Sequence, residues 1–284
     1  MSSEFRTNYA ATPIAPFSLL ELENWLEPFP RHWHDEWGIA VIEAGVNRFW
    51  LRGGWYEAPQ GSIIVVPPGE IHDGGLGSEP WAERMAYVPA EAMDAIARAC
   101  NREMQPLVFA QPIIDDAPLA ADLRVLHRRL AGAPLSDSVE ASELAIRVIG
   151  TLLHRHGSLR VEQPRRGEAA AVERARQFMR ARRSVRIDLE AIAAAAGLSQ
   201  YHLIREFNKR VGVTPHAYLT QLRVNLAQQL LRSTDTIADV ALASGFADQA
   251  HLTRQFRRTL GVTPGAYRKA HATTHKRRAV SVGR

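Results

Sequence analysis

Two stretches in the second half of the sequence carry arginine and glutamine, side-chain types that can form paired hydrogen bonds with flat polar groups such as the edges of nucleic-acid bases. Arg205 and Arg254 occupy matching positions in these stretches. Arginine can bond guanine, and glutamine adenine, through two hydrogen bonds, whereas apolar side chains meet the methyl group of thymine. A single exposed arginine is more often only a solvated charge, but the repetition favours base reading. The neighbours expected on the same helix faces are Gln200, Tyr201, Ile204, Asn208, Gln249, Ala250, Thr253 and Arg257.

The two stretches are copies of one helix–turn–helix unit. Residues 189–218 and 237–267 share their apolar positions and a Gly-Val-Thr-Pro sequence, which chance does not produce. In each copy a short helix ends at a glycine, where a left-handed residue is favoured, and a second helix follows. The residues expected to cap helices are Asp188, Ser199 and Thr214. The aromatic residues expected in the core are Phe207, Phe256, Tyr218 and Tyr267.

Three histidines in the first half form another candidate site. His32 and His34 stand two residues apart, before the first strand pair, and His72 follows a later strand. Alternate residues of a strand point to the same side, so the three imidazoles are expected to project into one cavity. Such a set can hold a divalent metal or bond a small molecule.

The two candidate sites lie in halves of the chain that differ in net charge. Residues 1–167 hold 15 Lys and Arg against 22 Asp and Glu, a net charge of −7, whereas residues 168–284 carry +12. A basic half joined to an acidic half is typical of a chain in which one domain binds a polyanion. The single cysteine, Cys100, excludes a disulfide framework, and the chain has neither a transmembrane run nor a secretory signal. We therefore expect a soluble, cytoplasmic protein with no membrane partner.

The elements that carry these residues also differ between the halves. Strands are predicted at 38–43, 47–52 and 62–66, followed by helices at 90–102, 118–130 and 138–156. The last helix carries a broad apolar stripe, which either packs on the strands or forms a dimer seam, two alternatives of about equal weight. After a polar linker the chain is predicted to be helical to about residue 267.

Residues from about 170 to 268 resemble the DNA-binding domain of AraC/XylS-family transcription regulators. The family pattern of the second unit matches Gly245-Phe246, Leu252, Phe256 and 261–268. The Arg-x-x-x-Ala-x-x-Leu-Leu run of the connecting helix matches Arg223, Ala227, Leu230 and Leu231. The resemblance implies seven helices, with two helix–turn–helix units joined by one long helix at about 215–233. It also implies base contacts from Tyr201, Ile204, Arg205, Gln249, Ala250, His251, Thr253 and Arg254. For His202 and His251, a structural or phosphate-bonding role is as plausible as base reading.

The first half resembles the cupin barrel, which is also the ligand-binding domain of many AraC-type regulators. Its two motifs match Arg31-His32-Trp33-His34 and the Gly61, Pro67, Gly69 and His72 positions. The cupin pattern expects a metal-binding glutamate where this sequence has Gly38, so we expect no metal and no other cofactor. The ligand-binding residues expected in the barrel are His32, His34, Trp37, Trp50 and His72.

These observations predict an α+β multidomain protein, with a cupin-like β-barrel and trailing helices before an all-α domain. The predicted boundaries are 1–90 for the barrel, 91–157 for helices in a dimerisation region, 158–168 for the linker and 169–270 for the DNA-binding domain. Within it the two helix–turn–helix units lie at about 188–210 and 236–259, and a disordered basic tail follows at 271–284.

The leading hypothesis is a transcription regulator that binds double-stranded promoter DNA and is controlled by a small molecule. We expect it to form a homodimer, to contact RNA polymerase and to have no catalytic residues. One alternative is a metal-dependent cupin enzyme fused to a DNA-binding domain. Another is a DNA-binding protein whose barrel only dimerises.

Overall fold

The computed structural model describes residues 6–11, 17–75, 79–100, 107–132, 138–159, 168–233 and 235–271. The chain divides into two units. The first comprises Met1–Pro28, Trp33–Val161 and Lys269–Arg284, and the second comprises Phe29–His32 and Glu162–Arg268. The predicted linker falls mostly on 160–167 and the predicted tail mostly on 272–284, which lie outside the described residues. No helix among the described residues is long and apolar enough to cross a membrane.

The first unit is built mainly from antiparallel strands. The strands of the chain are β1 (Arg6–Ala11), β2 (Ser18–Trp25), β3 (Phe29–His32), β4 (Trp37–Ala44), β5 (Val46–Leu51), β6 (Gly54–Pro59), β7 (Ile63–Val66), β8 (His72–Gly74), β9 (Trp81–Val88), β10 (Leu107–Phe109), β11 (Ile113–Ile114) and β12 (Gly157–Leu159). The larger sheet has the order β1-β2-β9-β4-β7-β11, and a second sheet contains β8, β5 and β6 in that order. The three predicted strands correspond to β4, β5 and β7.

Strand β4 separates two environments. Trp37, Ile39 and Val41 belong to a buried core that includes helical residues. On the other face, Gly38 lies next to His34. This follows from the alternation of side chains along a strand, because both faces of β4 are covered and its side chains divide between them. The larger sheet therefore has a helix-facing side and an interior side.

Three helices complete the first unit: α1 (Ala90–Ala99), α2 (Ala117–Gly132) and α3 (Ser138–His156). The apolar stripe predicted on α3 packs into the hydrophobic core. Val148, Ile149, Leu152 and Leu153 are at most 1% exposed. The sequence left open whether this stripe packs on the strands or forms a dimer seam, and these four residues pack inside the first unit.

A half-buried carboxylate joins the end of α3 to the start of α2. Asp116 Oδ1 accepts a hydrogen bond from the Leu119 backbone at 3.1 Å, and Asp116 Oδ2 lies 3.0 Å from His156 Nε2 and 3.0 Å from Arg155 Nη1. The contact with His156, aided by the Leu119 amide and Arg155, lowers the pKa of Asp116 to about 2. The carboxylate is thus ionised over the whole physiological range and can hold both helix ends.

The described part of the second unit is helical apart from β3. Its helices are α4 (Glu168–Ala181), α5 (Leu189–Ala196), α6 (Gln200–Val211), α7 (Pro215–Leu230), α8 (Ile237–Ala243) and α9 (Gln249–Leu260), and residues 264–271 are also helical. The predicted fold class, a β-rich half followed by a helical half, is confirmed. The connecting helix α7 ends at Leu230 rather than near Ser233, because the Ser233 hydroxyl lies 2.8 Å from the Leu230 carbonyl and begins the turn.

Candidate DNA interface and effector site

In the first helix–turn–helix unit, the helices begin and end at the capping residues predicted from the sequence. Asp188 Oδ1 accepts a hydrogen bond from Ala191 N at 2.8 Å, and Gly197 ends α5 with φ 70°. Ser199 Oγ then accepts from His202 N at 3.3 Å and starts α6. These contacts determine where α6 begins and therefore which of its residues face outward.

Helix α6 has one anchored face and one exposed face. Leu203 and Phe207 are fully buried, and the Phe207 ring meets Tyr218 of α7 edge-on at 5.3 Å. On the opposite face Tyr201 keeps 75% of its surface exposed and Ile204 keeps 39%. The predicted base-reading residues of this helix are all exposed: Gln200, Tyr201, Ile204 and Arg205.

The second helix–turn–helix unit repeats this arrangement in α8 and α9. Thr236 and Asp239 form a reciprocal capping box at the start of α8. Asp248 Oδ1 accepts from His251 N at 2.6 Å and starts α9. The anchor is again an edge-on aromatic pair, Phe256 with Tyr267, at 5.4 Å. Of the predicted readers on α9, Gln249, Ala250 and Arg254 are exposed, whereas His251 and Thr253 are half-buried.

Two of the predicted readers on α9 also have contacts within the protein. The His251 ring meets Phe246 edge-on at 5.2 Å, which favours the structural role left open for this residue. The Thr253 hydroxyl donates to the Gln249 carbonyl at 2.8 Å. Arg254 and Gln249 therefore offer the most accessible hydrogen-bonding side chains of this face.

The arginines at the matching positions differ in their surroundings. Arg205 Nη2 lies 3.4 Å from Glu206 Oε1, and Glu206 is only 3% exposed. Arg210 Nε lies 3.4 Å from the other oxygen of the same carboxylate. At the position matching Glu206, α9 has the neutral Gln255. The Arg205 guanidinium of the first helix–turn–helix unit thus lies beside a buried carboxylate. The second helix–turn–helix unit has no carboxylate at the equivalent position.

The connecting helix α7 is tied to the rest of the second unit along its length. Thr214 Oγ1 accepts from Ala217 N at 3.2 Å, with Pro215 at the first helical position as predicted. Further along, Arg223 donates to the carbonyls of Arg183 and Val185, both at 3.0 Å. These bonds join the start of the second half of α7 to the segment before α5.

Two of the three predicted histidines meet inside the first unit. The His34 and His72 rings lie edge-on with their centroids 4.9 Å apart, and the His34 ring meets Tyr87 of β9 at 5.2 Å. Both histidines are more than nine-tenths buried. His32 lies on β3, which belongs to the second unit, and burial lowers the pKa of its imidazole.

The interior does not fit the metal that the cupin resemblance implies. A Cβ placed on Gly38 would lie 2.9 Å from His34 Nε2, so the histidine ring fills the space that the missing glutamate would need. Among the described residues, no group of three or more His, Cys, Asp or Glu side chains is arranged to hold a metal ion.

The tryptophans predicted to share the cavity lie elsewhere. Trp37 is on the helix-facing side of β4, where its ring meets Phe109 at 5.7 Å. Trp50 alternates with the buried Phe49 and Leu51 of β5 and pairs across the hairpin with Trp55, which is 52% exposed. The prediction that Trp37 and Trp50 line one cavity with the histidines is thus corrected, because strand alternation directs both side chains away from the face that carries the histidines.

Sequence reasoning missed three polar residues that the structure brings to the interior. Asn47 of β5 donates to Glu83 Oε2 of β9 at 3.4 Å, and Tyr87 is four residues further along β9. Burial, only partly offset by the Asn47 hydrogen bond, raises the pKa of Glu83 to about 8. Burial and then the nearby Glu83 carboxylate raise the pKa of Tyr87 as well. The alternation along WAERMAYV was the signal that places Trp81, Glu83, Met85 and Tyr87 on one face.

Comparisons with known proteins agree with this division. Residues 15–149 match the AraC-like ligand binding domain, and residues 192–270 match a helix-turn-helix domain. The chain is 25% identical over 249 residues to the HTH-type transcriptional regulator YbfI of Bacillus subtilis, covering 87% of this chain and 90% of YbfI. It is 23% identical over 224 residues to the HTH-type transcriptional activator RhaS of Yersinia pestis, covering 78% of this chain and 82% of RhaS.

Solved structures show the same fold. The apo form of a ToxT variant from Vibrio cholerae superimposes with a TM-score of 0.55 at 13% identity, covering 93% of this chain and 99% of that one. The fold, the two exposed recognition helices and the ligand-binding unit define a DNA-binding transcriptional regulator. The chain belongs to the AraC family of transcriptional regulators.

Proposed function

We propose that this protein binds promoter DNA through α6 and α9 and that a small molecule bound between the two sheets controls this binding. The observation that carries the proposal is the pair of matching exposed helix faces in a half of the chain with net charge +12. In a helix–turn–helix protein such faces enter the major groove, and the surrounding basic residues bind phosphate. The α7 connector supports engagement of two successive grooves, about 34 Å apart.

Replacing Arg254 with alanine is expected to weaken specific binding by about 1–3 kcal/mol and to relax the preference at one or two base pairs. The reason is the loss of a bidentate contact to a base. Arg128→Ala, which removes an equally exposed charge from α2, is the matched control and should leave affinity unchanged. Affinities for selected and random duplexes, measured at one salt concentration, test this. Equal weakening on both duplexes would show that Arg254 touches only phosphate.

The effector site we propose consists of His34, His72 and Tyr87 together with Glu83 and Asn47. An apolar interior with a few polar groups suits a small organic molecule, because the polar groups set orientation and the rest is buried. ToxT has been solved with an unsaturated fatty acid bound, but a likeness at 13% identity concerns the fold.

Protein purified without chelators is expected to contain far less than stoichiometric Fe, Mn, Ni or Zn. The physical reason is that the His34 ring occupies the place of the missing carboxylate ligand beside Gly38. Elemental analysis of the wild type and of His72→Ala measures this. Stoichiometric metal that is lost in His72→Ala would contradict the proposal and favour the alternative of a metal-dependent cupin enzyme.

A second copy of the chain and RNA polymerase are the protein partners we propose. A groove of about 250 Å³ runs between α2 and α3, where Val125 and Leu144 are flanked by both signs of charge. A patch with both signs can pair with itself across a two-fold axis, as a homodimer requires. The charged residues of the groove are Arg129, Glu140, Glu143 and Arg147. RhaS is a transcriptional activator, and we propose that this chain likewise activates transcription, through RNA polymerase in the cytoplasm and without enzymatic activity.

A further inference from the structure

We propose that the two recognition helices read different chemistry, with α6 selecting thymine methyl groups through Tyr201 and Ile204 and α9 selecting guanine through Arg254. The two halves of the binding site then differ, and the protein lies on its DNA in one orientation. This inference rests on the proposed DNA binding and adds which bases each unit prefers.

Helices α6 and α9 carry the same residues at some equivalent positions of the repeat and different residues at others. Both carry glutamine and arginine at the equivalent positions, Gln200 with Gln249 and Arg205 with Arg254. The positions between them differ, and the pairs are Tyr201 with Ala250 and Ile204 with Thr253. Only the first helix therefore presents two large apolar side chains on the face that the repeat assigns to DNA.

These two side chains have no role in the core. Tyr201 is 75% exposed and Ile204 39%, whereas Leu203 and Phe207 on the other face are fully buried. Tyr201 and Ile204 stand three residues apart, so they are neighbours on the helix surface. In the major groove the apolar group that such a surface meets is the C5 methyl of thymine. Burying one methyl group corresponds to about a fourfold gain in affinity.

The second observation concerns the arginines. Arg205 is held 3.4 Å from the buried carboxylate of Glu206, which also faces Arg210. Arg205 Nη2 faces this carboxylate, so the Arg205 guanidinium divides its donors between Glu206 and a base. Arg254 has the neutral Gln255 in the matching position, so no such competition arises. Hydrogen-bonded guanine reading therefore falls mainly to α9, and methyl reading to α6.

The test begins with the full-length protein and duplexes selected from a random-sequence library. The half-site at which Arg254→Ala loses its base preference is assigned to α9, and the other to α6. Thymines are then replaced by deoxyuridine, which removes only the methyl group, in one half-site at a time. The matched variant is Tyr201→Ala combined with Ile204→Thr, which places on α6 the residues that α9 has naturally. Both replaced residues are exposed, so the fold is preserved.

We expect each methyl removed from the α6 half-site to weaken binding by the wild type about fourfold. The same replacement in the α9 half-site, where only the small methyl groups of Ala250 and Thr253 can meet thymine, should change affinity less than about twofold. The double variant should reduce the dependence in the α6 half-site to that lower level. Equal losses in both half-sites, losses that persist in the double variant, or an α6 half-site without thymine would each overturn the inference. If no sequence is enriched at all, the proposed specific DNA binding itself fails, which is a distinguishable result.

Discussion

Glu83→Gln is expected to stabilise the protein by an amount that grows from about 1 kcal/mol at pH 5 to about 5 kcal/mol at pH 9. Burial raises the pKa of Glu83 from 4.5 to about 8, so the folded protein retains a proton that the unfolded chain releases. Wild-type stability contributed by this group is therefore lost as pH rises from 4.5 to 8. Glutamine keeps the shape of the neutral acid and does not titrate.

The measurement is the free energy of unfolding of both proteins across this pH range. Other buried groups contribute equally to both proteins and cancel; they include His127, whose pKa burial lowers to about 4. Glu57→Gln is the control, since Glu57 lies on β6 with 67% of its side chain exposed. For that variant the free energy of unfolding should stay close to the wild-type value, because the replaced side chain lies in solvent. A flat difference for Glu83→Gln as well would mean that the Glu83 carboxyl is hydrated and not part of a dry interior.

Gly245→Ala is expected to destabilise the second unit by roughly 2–5 kcal/mol, whereas Gly197→Ala at the matching turn costs only about 1–2 kcal/mol. Both glycines have left-handed backbones, with φ 86° and 70°. A Cβ on Gly245 would also lie 2.8 Å from the Arg183 carbonyl and 2.8 Å from Arg223 Nε, the two groups that bond α7 to the preceding segment. Beside Gly197 the nearest atom is 3.6 Å away.

Helical circular dichroism during chemical unfolding follows mainly the second unit and therefore measures this difference. Gly197→Ala serves as the internal control, because it has the same left-handed conformation without the steric overlap. Equal losses for the two variants would contradict the view that the turn after α8 is packed against α7 more tightly than the turn after α5.

The helix–turn–helix units could be predicted almost completely because their determinants are local. The caps Asp188 and Ser199 bond amides three residues away, and Gly197 adopts its conformation within a single turn. The inward positions of Leu203 and Phe207 follow from helical periodicity. The exposed positions of α6 that are predicted to read bases then follow by elimination, since the helix has only one other face.

The proposed effector site depended on the tertiary structure, because its residues meet across strands far apart in the sequence. Asn47 and Glu83 approach each other only when β5 and β9 face each other, and no pattern within one strand reports that pairing. Trp37 shows the same limit, since both faces of β4 are buried and its alternation does not tell which face is the interior. The sequence by itself thus determined the two DNA-binding units through contacts within a few residues. Only the packing of the sheets decided which polar groups share the interior.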